Sequence, residues 1–135
     1  MKFLAYLLFY GYVILLILAG AWGVFFARFD HRLLFHLDVR LLAPIPAASL
    51  VSQYRFLRAM EFGFGMFSII YRREIFTSRA FNRLFLATMA FGVVARIVSL
   101  ILDGRPLPIF YFFLASEFAG VIFIYAYSRR TLEKA

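Results

Sequence analysis

The chain has 135 residues and a formal net charge of +8, yet 64% of it is hydrophobic and only 16% is charged. A soluble domain runs near half apolar and about a quarter charged, so this chain has too little polar surface to stay in solution. With no cysteine, disulfides, thiolate catalysis and cysteine-held metals are excluded. The arginines lie beside apolar runs, where they orient a membrane protein, and no nucleic-acid partner is expected.

Residues 3–26 form an apolar run without internal charge, long enough at roughly 20 residues per crossing to span a bilayer as a helix. Lys2 before the run and Ala19-Gly20-Ala21 inside it give a likeness to a secretory signal. The apolar length is long for one, so the segment is read as a retained span. Residues 28–49 are the only sizeable extramembrane piece. Leu33, Leu34, His36, Leu37, Val39, Leu41 and Leu42 recur so that a short helix would show one apolar side, lying on the outer bilayer surface. Pro44 and Pro46 are read as ending it and leading into the second span. His31 and His36 are five apart, a poor chelating spacing on a helix, and read as solvated or interfacial; no metal site or cofactor is expected.

The second span covers about residues 50–71 and contains RFLRAMEFGFG, with Arg55, Arg58 and Glu61 three apart. A short basic loop leads to a third span at about 80–102. Asp103-Gly104-Arg105-Pro106 forms a tight outer turn, either a plain connector or a lid, before a fourth span at about 107–127. Strand alternation is missing, and a backbone in lipid must satisfy its own hydrogen bonds. The expected fold is therefore all-α: a single transmembrane domain over residues 1–135, a four-helix bundle with an outer interfacial helix between the first two spans. The many phenylalanines are read as lipid-facing bulk.

Arg72, Arg73, Arg79 and Arg83 share the loop between spans two and three, and Lys2, Arg129, Arg130 and Lys134 add to that side. Arg28, Arg32, Arg40 and Arg105 on the other side are mixed with Asp30, Asp38 and Asp103. Both termini are thus expected to face the cytoplasm.

Depth singles out one group of residues. At 1.5 Å per residue, Arg55, Arg58 and Glu61 would lie about 8, about 12 and about 16 Å below the outer surface, Arg96 about 9 Å and Glu117 about 14 Å. An isolated charge at such depth costs about 2.5–3.5 kcal/mol, so mutual pairing inside the bundle is expected. Gly63 and Gly65 would let a neighbouring helix approach. Three arginines against two carboxylates leave a positive surplus suited to a phosphate or carboxylate headgroup. A purely structural ion network is the competing reading.

The run GVVARIVSLILDGRPLP, followed by Glu117 in the last span, resembles the bacterial domain of unknown function 4345 family, small four-helix inner-membrane proteins. The positions carrying the resemblance are Gly92, Arg96, Ser99, Asp103, Gly104, Pro106 and Glu117, with Arg55 or Arg58 matching an arginine that opens the second helix. Glu61 and the phenylalanine content depart from the pattern, as in a divergent subgroup. The resemblance implies an architecture and no activity.

The leading expectation is a non-catalytic inner-membrane protein. It would bind a lipid or other amphiphile through the Arg/Glu cluster, or serve as an accessory subunit of a larger membrane complex or a homo-oligomer. The alternatives are an enzyme modifying a lipid or isoprenoid through Glu61 or Glu117, and a small oligomeric transporter.

Overall fold

The structure, a computed structural model, describes residues 1–132 and is all-helical over them. Its elements are α1 (Lys2–Phe25), α2 (Ala27–Leu34), a 3₁₀ turn (Val39–Leu41), α3 (Pro44–Ile70), α4 (Arg72–Thr77), α5 (Arg79–Leu102) and α6 (Pro108–Leu132). Lys134, counted above on the basic side, lies outside the described residues. Three helices, α1, α5 and α6, are long and apolar enough to cross a membrane. At 27 residues α3 has the length, but Arg55, Arg58 and Glu61 interrupt its middle.

Several boundaries differ from expectation for identifiable reasons. Pro44 and Pro46 lie within the first turn of α3 and not ahead of it, so the helix starts well before residue 50. Proline suits the first helical turn, where its missing N–H has no intrahelical acceptor to serve. The segment 28–49 does not form one helix with one apolar side. α2 stops at Phe35, and His36 takes a left-handed backbone with φ 54°. The amides of Phe35 and Leu37 then donate to the His31 carbonyl at 3.2 and 3.0 Å, closing the helix end. The basic stretch expected as a loop contains α4, whose Ile75 and Phe76 are buried. Gly104, at φ 95°, supplies the turn after α5.

The chain divides into two compact units. The first comprises Met1–Tyr12 and the chain from Ser68 onward. Here α5 buries Asn82, Phe85, Met89 and Val93, and α6 buries Gly120, Ile124 and Ser128, each set spaced by three or four residues as one helical face. Gly120 lets the helices close: a Cβ there would meet Met89 Cε at 2.8 Å. Phe9 of α1 packs its ring 5.2 Å from Phe76 and 5.1 Å from Phe85. Part of the phenylalanine content is therefore core, while Phe3 and Phe91 remain exposed. Asn82 ties α4, α5 and α6 together, donating to the Ile75 carbonyl at 2.9 Å and accepting from Ser128 at 3.3 Å.

The second unit is Val13–Phe67. Gly20 of α1 sits against the backbone of α3, where a Cβ would fall 2.6 Å from the Phe62 nitrogen and 2.7 Å from the Arg58 carbonyl oxygen. Gly65 similarly faces Ile17, whereas Gly63 meets nothing within 4 Å, so only Gly65 of that pair serves close packing. Ala27, Val39, Val51 and Tyr54 form a small apolar cluster with Leu37 at its edge.

Candidate functional site

Among the described residues, those singled out by depth fall into two ion pairs and one arginine outside them, the pairs belonging to different compact units.

In the first unit, the buried face of α5 continues from Val93 to Arg96, and that of α6 begins at Glu117, three residues before Gly120. The two side chains therefore meet across the helix pair. Arg96 donates through Nε to Oε2 of Glu117 at 2.7 Å and through Nη2 to Oε1 at 3.0 Å, a two-pronged charge-assisted contact. Its guanidinium carbon lies 5.5 Å from the centre of the Phe113 ring. Glu117 is 13% exposed and Arg96 33%, so the pair is embedded on the carboxylate side and open on the guanidinium side. Nη1 of Arg96 makes no hydrogen bond to the described residues.

That open side lines a pocket of about 80 Å³ with Ser99, Leu100, Pro106, Phe110, Tyr111 and Leu114. The turn after α5 shapes its rim. Ser99 donates to Asp103 Oδ2 at 2.7 Å, Gly104 reverses the chain, and Pro106 reaches the pocket wall. Arg105 is exposed and is not part of that wall.

In the second unit, Arg58 donates through Nη1 to Glu61 Oε2 at 2.6 Å and through Nε to the Tyr54 hydroxyl at 2.8 Å. Tyr54 donates onward to Asp30 Oδ2 at 2.8 Å, and Trp22 Nε1 donates to Asp30 Oδ1 at 3.0 Å. The chain of contacts thus runs Glu61–Arg58–Tyr54–Asp30–Trp22. Arg55 is exposed and makes no hydrogen bond or ion pair with the described residues.

Two sequence expectations need correction here. His31 is not solvated: it is 3% exposed, with Nδ1 2.7 Å from the Ala27 carbonyl and its ring 4.6 Å from that of Tyr54. A carbonyl only accepts, so Nδ1 carries the proton. The expected positive surplus is also absent from both networks. Arg96 is matched by Glu117, and Arg58 shares its network with two carboxylates, Glu61 and the 4%-exposed Asp30. The sequence reading missed Asp30, Trp22 and His31. The available signal was the spacing of Ala27, Asp30, His31 and Leu34, one face of a helix, overlooked because half of it is polar.

Outside the apolar helices, Arg40 grips Asp38 with Nε at 2.9 Å and Nη2 at 2.7 Å. These hydrogen bonds, from the Arg40 side chain first and its backbone amide second, hold the Asp38 carboxyl down to about 2.

Apolar helices of membrane-crossing length, with ion pairs set among their packed faces, define an all-helical membrane protein. The chain belongs to the family described as Domain of unknown function (DUF4345), whose family model matches residues 4–128. No curated protein and no solved structure matches the chain.

Proposed function

We propose that the chain is a non-catalytic inner-membrane protein with four spans and cytoplasmic termini, binding the polar head of a lipid or similar amphiphile beside the Arg96–Glu117 pair. The fourth span is α3. Its 27 residues reach about 40 Å at 1.5 Å per residue, and pairing of Arg58 with Glu61 offsets much of the cost of placing them in hydrocarbon. The arginines at 72, 73, 79 and 83, with 129 and 130, set the orientation. α2 and the 3₁₀ turn lie along the outer interface.

The observation that carries the binding reading is the geometry of Arg96. Glu117 fixes the guanidinium from one side, and the unspent Nη1 belongs to a residue that opens on a pocket with Ser99 and Tyr111. Because Glu117 cancels the charge, the fitting group is an uncharged oxygen acceptor, such as an ester carbonyl or hydroxyl, more than a free anion. Glu61 and Glu117 both hold guanidinium groups, which suits positioning better than proton transfer. A second reading, a small subunit of a larger complex or homo-oligomer, draws support from Gly11 and Gly92: a Cβ on either would meet nothing within 4 Å, leaving room for another helix.

Native mass spectrometry of protein released gently from its own membranes tests the proposal. The unmodified chain should carry an amphiphile adduct near one-to-one, and Ser99→Leu, which plugs the pocket, should lose it while the ion pair stays. An adduct equally abundant in both proteins, or absent from the unmodified chain, would contradict the assignment.

A further inference from the structure

The far end of the α5/α6 pair carries a separate cleft of about 320 Å³, lined by Arg79, Asn82, Arg83, Tyr125, Arg129 and Leu132. We infer that it is a second binding site, for the phosphate of an anionic lipid. The inference rests on the membrane reading above but not on the Arg96 pocket.

The cleft follows from where the helices begin and end. Arg79 and Arg83 are one turn apart at the start of α5, so their side chains leave the same face. Arg129 lies in the last turn of α6, one turn beyond Tyr125. α6 returns alongside α5, which brings its last turn beside the first turn of its neighbour. Three guanidinium-bearing side chains thus line one cleft from two helices, and no described residue of its lining is acidic. Arg79 and Arg83 are both exposed and make no ion pair with the described residues.

The floor is built. Asn82 is 5% exposed and held on both sides, donating to the Ile75 carbonyl and accepting from Ser128. The exposed Arg79 and Arg83 each present a planar fork of donors that matches phosphate oxygens. Position selects the source of the phosphate. Arg79 lies seventeen residues along α5 from Arg96, about 26 Å at 1.5 Å per residue. That separation approaches the roughly 30 Å hydrocarbon thickness, so with Arg96 near one face the cleft falls at the headgroup level of the other. Tyr125 beside it suits that interfacial depth.

Orientation of the chain alone would need basic residues but no cleft, and the molecule contains its own control. Arg72 and Arg73 lie in the same connection between α3 and α5, yet neither lines the cleft, and Arg72 spends Nη1 on the Ile69 carbonyl at 3.1 Å. Removing either pair of arginines subtracts the same charge.

The experiment titrates phosphatidylglycerol into the purified full chain held in neutral-lipid nanodiscs, with bound lipid counted by native mass spectrometry. Phosphatidylglycerol should be retained over phosphatidylcholine. Arg79→Gln with Arg83→Gln should weaken retention by roughly tenfold or more, given about 1 kcal/mol per basic residue near an anionic headgroup. Arg72→Gln with Arg73→Gln should stay close to the unmodified chain. Should the first double variant fail to fold, Arg129→Gln alone should show a several-fold loss. Failure of inorganic phosphate to displace the lipid supports a lipid headgroup as the ligand, whereas full displacement points to a soluble phosphate and overturns the lipid source. Equal losses in both double variants, an unaffected Arg129→Gln, or no preference for the anionic lipid would overturn the site.

Discussion

Glu117→Gln is the sharpest single perturbation of the Arg96 pair. It keeps the shape of the side chain but removes its charge, leaving Arg96 with neutral acceptors in a largely apolar setting. Two charge-assisted hydrogen bonds are weakened, and at about 1.5–3 kcal/mol each the ceiling is about 3–6 kcal/mol. Arg96 is 33% exposed, so part of that is recovered as the guanidinium turns toward water or headgroups, and about 2–4 kcal/mol is expected. The assay is equilibrium unfolding in mixed micelles with increasing sodium dodecyl sulfate, followed by far-ultraviolet circular dichroism. Arg96→Leu combined with Glu117→Leu removes both charges at once and should fall within about 1.5 kcal/mol of the unmodified chain, because the desolvation of both ions disappears with their attraction. A Glu117→Gln loss under about 0.5 kcal/mol, or a double variant as unstable as the sum of its single changes, would refute the reasoning that the pair is embedded and mutually dependent.

Two further outcomes follow from named contacts. Gly20→Ala forces a methyl group onto the α3 backbone at 2.6–2.7 Å and should cost about 1–3 kcal/mol, whereas Gly63→Ala, which meets nothing within 4 Å, should be neutral or up to about 1 kcal/mol stabilising through helix propensity; the same unfolding assay reads both. The Asp38 carboxyl is held at about 2 by Arg40, below the ordinary value near 3.9, so its contribution to stability is present above about 3.9 and fades as pH falls through about 2. Carboxyl-carbon nuclear magnetic resonance should show that low midpoint, and Arg40→Ala should return it toward the ordinary value; an unmoved midpoint would remove Arg40 as the cause.

How much of this was legible in the sequence depended on whether the signal was local. α1, α5 and α6 stand out because each is a long apolar run, and the turn at Asp103-Gly104 announces itself through residue types that favour it. Arg58 and Glu61 are visible as a pair because they sit three apart on one helix. Arg96 and Glu117 lie on different helices, but opposite charge at similar depth pointed to each. The start of α3 was expected near residue 50 and falls at Pro44, because proline can precede a helix or sit in its first turn, and only the surrounding backbone decides between them. The partners of Tyr54 were hidden for a different reason. Asp30 reaches it only because α1 ends at Phe25 and α2 begins at Ala27, a break marked by neither proline nor glycine. Reading Asp30 as an exposed companion of nearby arginines was the natural result, and it also distorted the charge count.

The proposed placement of Arg58 inside a membrane requires α3 to be a true crossing, and the absence of native cysteine makes this directly measurable. Single cysteines placed at the exposed positions Arg40, Thr77 and Arg105, and at Thr131, should be probed in intact cells with a maleimide that cannot cross the membrane. Positions 40 and 105 should label from outside, while 77 and 131 should label only after permeabilisation. Labelling of 40 and 77 from the same side would mean that α3 does not cross, and the four-span account would be wrong.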